Sequence, residues 1–282
     1  MRLTIKHSSE YNFSSEVYFE PHFLRFKPRN TQYIQIESFK LKLLPNAAGI
    51  SEILDPENNF THLCWFDDLS DKLHIESELV LDSKNYNPYN FLISPQEYVT
   101  LPFEYSESLK RNLQASLEIK KINDSILLFA TEVLESANYK TIDFLTNLTI
   151  QIHSDFKVES REYGSPLSAE QTFTLKRGSC RDLSWMMIQL LRNLGIAARF
   201  VSGYYYLPLE GGNYDLHAWV EVFIPGAGWI GFDPSHGIAA SNRHIPVASS
   251  SHFENTMPVS GTIRGNATSD LTNNISIQAE DL

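Results

Sequence analysis

The sequence is poor in cysteine, in cationic charge and in long apolar runs, and each shortage excludes something. Only Cys64 and Cys180 stand in 282 residues. Two cysteines make no disulfide framework and no zinc-type Cys/His spacing. Two free thiols in a reducing, cytoplasmic compartment are expected. The chain opens Met1-Arg2-Leu3-Thr4-Ile5-Lys6-His7 with no apolar h-region, and no apolar run reaches transmembrane length. Neither a signal peptide nor a membrane partner is therefore expected. Lys and Arg number 23 against 34 Asp and Glu, a net charge of −11. Nucleic-acid binding needs a basic face, so that partner is not expected either. Gly-rich phosphate loops, EF-hand patterns and acidic ligand loops are missing, which points to no cofactor and no metal.

What is present divides in two. The length suggests two domains. Residues 1 to about 82 read as alternating strands, among them Arg2–His7, Thr31–Leu43 and Leu73–Leu81, broken by Pro28-Arg29-Asn30, Pro45-Asn46 and Asp55–Asn59. Short strands with regular turns and no helix suggest an antiparallel β-sandwich or barrel. Its histidines (His7, His22, His62, His74) are scattered and read as structural or exposed, and Cys64 reads as a small core residue. Residues 83 to about 105 resemble a linker. Helical spacing then appears over Ser106–Ile119, Asp124–Glu135 and Thr141–His153, and Ser168-Ala169-Glu170-Gln171 is a capping box. The expected division is a β-rich domain at 1–100 and an α+β core at 101–282. The core ends in a polar tail from about Ser249, poorly structured by composition, although Asn274–Gln278 offers a last strand.

One stretch organises the rest: Arg177-Gly178-Ser179-Cys180-Arg181-Asp182-Leu183-Ser184-Trp185. Leu183, Met186, Met187, Leu190, Leu191 and Leu194 recur on one helix face, and Gly195 stands where the helix would stop. Ser179 with Asp182 three residues on is an N-cap signal. Cys180 therefore falls in the first turn of a mostly buried helix, where free amides and the helix dipole favour a thiolate.

Further on, Leu216–Ile224 and Trp229–Asp233 read as a hairpin around Pro225-Gly226-Ala227-Gly228. With the turn centred on Pro225, His217 and Asp233 directly oppose each other, with Cβ atoms about 5 Å apart. A carboxylate there would fix the imidazole tautomer and raise its basicity. A cysteine facing the other ring nitrogen would complete a nucleophile set for acyl transfer through a thioester.

Gly178–Asp182, Arg192–Tyr204, His217–Val222 and Gly228–Pro234 together resemble the bacterial transglutaminase-like superfamily, papain-like cysteine enzymes. Tyr11–Ser14 and Pro21–Arg29 resemble the β-rich domain that often precedes that core in bacterial members. The resemblance implies an N-terminal antiparallel β-sandwich followed by a papain-like core. It also implies Cys180 as nucleophile, His217 as general base and acid, and Asp233 as the residue orienting the histidine. Ser179 and Arg181 stand where the family often has Val and Gln. Arg181 would add positive potential beside the thiolate. Trp185, Tyr204, Trp219 and Glu221 are candidates to line the cleft, with packing the preferred role for Trp219. The implied reaction is amide acyl transfer on a peptide or protein substrate. Hydrolysis leads; a protein-glutamine transglutaminase using an amine acceptor, and a silent binding or assembly module, are the alternatives.

Overall fold

The computed structural model describes residues 1–161, 164–208 and 214–280. By its Gly211-Gly212-Asn213 composition Leu209–Tyr214 reads as a loop, and its residues 209–213 lie outside the described residues. The first half of the chain forms β1 (Arg2–Phe19), β2 (His22–Leu24), β3 (Ile34–Leu44), β4 (Gly49–Leu54), β5 (Phe60–Trp65) and β6 (Leu69–Ser83). The middle adds α1 (Glu107–Asn112), α2 (Asp124–Ser136), α3 (Thr141–Asp155), β7 (Lys157–Val158), α4 (Ala169–Leu175), β8 (Arg177–Gly178) and α5 (Cys180–Asn193). Then come β9 (Ala198–Tyr205), β10 (His217–Ile224), β11 (Gly228–Asp233), β12 (Ile238–Ala239) and β13 (His244–Ser250). The chain ends with β14 (Val259–Ser260), β15 (Ile263–Arg264) and β16 (Ser269–Glu280). The class is α+β, as the sequence suggested: an antiparallel β-rich N-terminal region, then helices packed on an antiparallel sheet.

One sheet face does two jobs. β6 alternates strictly from Leu73 to Ser83, every second residue inward, which is the period of a half-buried strand. Its Leu73 and Ile75, with Val17 and Phe19 of β1, pack on Leu24 and Cys64 of the smaller sheet β14-β2-β5-β4. Its Leu79 and Leu81, with Leu3 and Ile5, pack instead on Tyr204 and Ile245 of the second half. Each such side chain is worth about 1.5–3 kcal/mol when fully buried. Between the two apolar patches the same face turns polar. His7 Nδ1 lies 3.0 Å from the Tyr204 hydroxyl, and His7 Nε2 lies 3.2 Å from Ser9 Oγ. Ser9 gives its own proton to Asn273 at 2.7 Å. Ser9 Oγ is therefore the acceptor for His7 Nε2–H, and His7 Nδ1 accepts from Tyr204.

The tail departs from expectation. β14 pairs with β2, β15 with β1, and β16 runs along β1 from Arg2↔Glu280 to Phe13↔Ser269. The C-terminus thus completes the N-terminal sheets and covers an edge that β1 would otherwise leave unpaired. Composition misled because β16 has one solvent face: Ile275 and Ile277 are buried between exposed polar neighbours. The serines misled for another reason. Ser249, in β13, and Ser251, just after it, are buried, the Ser249 carbonyl taking the Asn59 amide at 2.9 Å and the Ser251 carbonyl taking Arg192 at 2.7 Å.

The core is centred on α5. Every residue from Asp182 to Arg192 is buried, so this helix is apolar beyond a single face and sits inside the domain. β9 and β10 of the sheet β12-β11-β10-β9-β13 cover one side, and α2, α3 and α4 the other. α2 and α3 match the spans expected for them. The helix expected over Ser106–Ile119 is shorter, ending at Asn112 and continuing as a tighter turn over Gln114–Leu117. The Ser168 capping box opens α4 as expected. Among the described residues no helix is long and apolar enough to cross a membrane.

Candidate active site

The start of α5 is held by one carboxylate. Asp182 is fully buried. Its Oδ2 accepts the Ser179 backbone N–H and the Ser179 hydroxyl, each at 2.7 Å. Its Oδ1 accepts Arg161 Nη2 at 2.6 Å and the Leu167 N–H at 2.7 Å. Burial works against the charge of Asp182, yet these donors outweigh it and lower its pKa. A side chain at position 178 would meet the Asp182 Cβ at 2.7 Å, so only glycine admits this turn. The result is a rigid presentation of Cys180, half-buried, as the first residue of α5.

The second half of the site comes from the β10–β11 hairpin. His217 Nε2 lies 2.7 Å from Asp233 Oδ2, which leaves the other ring nitrogen for Cys180, whose thiol is within hydrogen-bonding reach. Burial opposes charge on His217, but Asp233 and Cys180 outweigh it and raise its pKa to about 10. Asp233 is fully buried, which resists ionisation; the histidines around it overcome that and hold its carboxyl well below the usual range.

The expected register needs correction. β10 and β11 pair as Val220↔Phe232 through Ile224↔Gly228. The turn therefore pivots on Gly226 (φ 87°), not Pro225. Continued outward, that register sets Asp233 opposite Trp219, and His217 reaches it along the diagonal. Face parity is kept, so the contact survives the shift.

Three neighbours of Asp233 were not anticipated. His236 Nδ1 lies 2.8 Å and His244 Nε2 3.2 Å from the same Oδ2. Ser235 gives Oδ1 its N–H at 3.0 Å and its hydroxyl at 2.7 Å. Tyr205 packs against all three imidazoles, with ring centroids 5.5, 4.5 and 4.4 Å from His217, His236 and His244. The i, i+3 spacing of Asp233 and His236 in a strand-ending turn was the available signal. His244 gave none: it arrives on β13, across the curl of the sheet. One ring nitrogen each of His217 and His236 and an Asp233 oxygen lie within 4.8 Å of one another, a spacing a metal ion can bridge. Their shared hydrogen bonds to one carboxylate account for the same approach.

The structure gives each cleft candidate packing or hydrogen-bond partners. Trp185 is buried, edge-on to Phe253 and beneath Arg192 and Lys120. Tyr204 is buried against His7 at the junction with the N-terminal sheet. Glu221 lies on the His217 face of β10 but is taken by Arg199 at 2.6 Å and Arg29 at 3.2 Å. Trp219 is 1% exposed and stacks on His217, so it supports the ring from below, as packing suggested. Arg181 donates to the carbonyls of Gly164 and Arg161, fastening that segment to α5. Cys64 is buried and its thiol is pushed up to about 11 by burial.

Comparison with known proteins follows the same division. Residues 129–234 match the Transglutaminase-like superfamily, and residues 3–82 match the Bacterial transglutaminase-like N-terminal region. A solved structure described as "a Putative Cysteine Protease from Cytophaga hutchinsonii" superposes with a TM-score of 0.70 at 21% identity, over 100% of this chain and 92% of that one. It shares the fold. An uncharacterized Mycobacterium tuberculosis protein is 23% identical over 94% of this chain and 88% of its own. A Pseudomonas aeruginosa protein-glutamine gamma-glutamyltransferase is 39% identical over 74 residues, 24% of this chain and 11% of its own. The resemblance read from the sequence is borne out at the level of both regions.

Proposed function

Because the chain carries a transglutaminase-like core behind a bacterial transglutaminase-like N-terminal region, we propose that it is a cysteine-dependent enzyme of amide acyl transfer, acting on a peptide or protein. The observation that carries this is the ordered chain of contacts from the Cys180 thiol to His217, and from His217 Nε2 to Asp233 at 2.7 Å. The Cys180 proton passes to the free nitrogen of His217, leaving a thiolate beside an imidazolium. The sulfur attacks the amide carbon, and the carbonyl electrons move to oxygen. The Cys180 backbone N–H, at the helix start, is the natural first donor to that oxyanion. The C–N bond then breaks as His217 gives its proton to the departing amine. A thioester remains. Water, relieved of a proton by His217, releases the acid and restores the thiol. Asp233 stays ionised and holds the ring in the productive tautomer. A reducing, cytoplasmic setting keeps Cys180 available for this cycle.

Hydrolysis is the leading reading. Amine capture of the same thioester is second, favoured by the 74-residue match to the Pseudomonas aeruginosa gamma-glutamyltransferase. The test is incubation with a glutamine-containing peptide library and a fluorescent primary amine, followed by mass spectrometry. Cleaved or deamidated peptides that vanish in Cys180→Ala support hydrolysis, and amine-tagged peptides support transfer. Neither product, under conditions where Cys180 is alkylated readily, would sink both.

A further inference from the structure

β13 is the last strand of its sheet, beyond β9, so one side of its backbone has no strand beside it. Such an edge leaves polar groups that must be satisfied by other means. The N-terminal region supplies them. The Tyr33 hydroxyl donates to the His244 carbonyl at 3.0 Å, and the Arg29 N–H donates to the Pro246 carbonyl at 2.9 Å. The Asn59 side chain takes Ser249 twice, accepting its N–H at 2.8 Å and donating to its carbonyl at 2.9 Å. β13 is therefore gripped from behind by a part of the chain far from Cys180 and His217 in sequence.

The first residue of that strand reaches the other way, into the site. His244 is fully buried. The Ser241 N–H donates to its Nδ1 at 3.1 Å, and the Ser241 carbonyl accepts the His244 N–H at 2.9 Å. A donor facing Nδ1 leaves no place for a hydrogen there. The ring is thus neutral, with its hydrogen on Nε2, 3.2 Å from Asp233 Oδ2. Trp219 meets the ring edge-on at 5.2 Å between centroids, and Tyr205 lies at 4.4 Å. The other two imidazoles on that oxygen are less constrained. His217 trades its proton with Cys180 in the proposed cycle, and the side chain of His236 is 34% exposed.

We propose that His244 is a positioning residue that holds the Asp233 carboxylate on His217, and that the N-terminal region in turn holds His244 through Tyr33 and the grip on β13. This deepens the reading of Cys180, His217 and Asp233 as the working set, and rests on it. Ser235 ties Asp233 Oδ1 with its N–H and its hydroxyl, and His244 ties Oδ2. With both oxygens tied, the carboxylate is kept from turning about its Cβ–Cγ bond as charge on His217 comes and goes. A partner fixed beforehand needs no reorganisation at the moment of reaction. The N-terminal region is then part of the scaffold of the site, although none of its residues touches Cys180, His217 or Asp233 among the contacts described above.

The test compares His244→Leu, His244→Gln and Tyr33→Phe with the wild type, each in the full chain. Two quantities are read: the rate of Cys180 alkylation by iodoacetamide at pH 6, and the proton resonance of the His217–Asp233 hydrogen bond. Leucine fills space without a donor, and glutamine returns an N–H at a similar reach. We expect His244→Leu to react at least about tenfold more slowly, with that resonance shifted or lost. His244→Gln should recover most of the rate. Tyr33→Phe should move both readouts in the same direction by a smaller factor. Ile277→Ala loosens the same junction through apolar packing alone, so it controls for lost stability and should react as the wild type does. A folded His244→Leu with the wild-type rate and resonance, or a His244→Gln as slow as His244→Leu, would overturn the role of His244. Should His244→Leu not fold, a His244→Gln that is slow and has lost the resonance would overturn it equally. A Tyr33→Phe identical to the wild type, or slowed no more than Ile277→Ala, would overturn the hold from the N-terminal region. A wild-type Cys180 that is not alkylated at pH 6 would instead overturn the underlying reading of the working set.

Discussion

His217 and Asp233 meet on the diagonal of a hairpin, not across a rung. The nearest paired rung is Val220↔Phe232, yet His217 Nε2 lies 2.7 Å from Asp233 Oδ2. A diagonal contact leaves room on the carboxylate, and His236 and His244 occupy it. Asp233 is thus both the orienting residue proposed for His217 and the node that fastens β10, β11 and β13 together.

Asp233→Ala should therefore damage stability and reactivity at once. Three imidazoles and Ser235 lose their acceptor, and we expect a loss of about 3–5 kcal/mol, read by denaturant unfolding. Asp233→Asn keeps the volume but offers a mixed donor and acceptor. It should fold, with Cys180 alkylation at pH 6 reduced by at least about 100-fold.

Acid should weaken the junction between the halves through His7. Burial lowers its pKa to about 4 from an ordinary 6.5. Between those values the unfolded chain binds the extra proton, so stability rises with pH there. It is fully present above pH 6.5 and falls as pH drops towards 4. The expected contribution is about 3 kcal/mol. Denaturation at several pH values should show a flatter slope across this window for His7→Gln.

Glu221 balances two arginines, the buried Arg199 and the half-buried Arg29. Removing it strands both charges, so Glu221→Ala should cost about 3–5 kcal/mol. Arg29→Ala should cost less, since Arg199 still pairs with Glu221. Thermal unfolding of the two variants checks the order.

The last strand is structural. Ile277 is 7% exposed and packs into the junction cluster. Ile277→Ala should cost about 2–4 kcal/mol. A chain ended after Gly265 should expose the β1 edge and aggregate, measured by light scattering at its melting transition.

Much of this was legible from local pattern. The alternation of Leu73–Leu81 gave β6, and the spacing of Leu183 to Leu194 with Ser179 and Asp182 at its head gave α5 and its cap. Face parity alone brought His217 and Asp233 together, although the pivot is one residue beyond the expected one. A turn moved by one residue moves every partner by two, which keeps the face and changes the neighbour. What stayed hidden depends on distant chain. His244 reaches Asp233 only because β13 folds back beside β9, and Gly203 lets it approach: a Cβ there would strike the Ile245 carbonyl at 2.2 Å. β16 looked disordered because its apolar residues are few, and its partner β1 lies at the opposite end of the chain, paired from Arg2↔Glu280 to Phe13↔Ser269. For Glu221 the sequence shows the face of β10 but not the arginines, Arg199 and Arg29, that pair with it.

The most direct measurement is intact mass after brief iodoacetamide treatment at pH 6, on the wild type and on Cys180→Ala. Cys64 serves as the internal control, being buried and pushed up to about 11. We expect one rapid label on the wild type and none on the variant. An unlabelled wild type, or a label that survives Cys180→Ala, would contradict a primed thiolate at the head of α5.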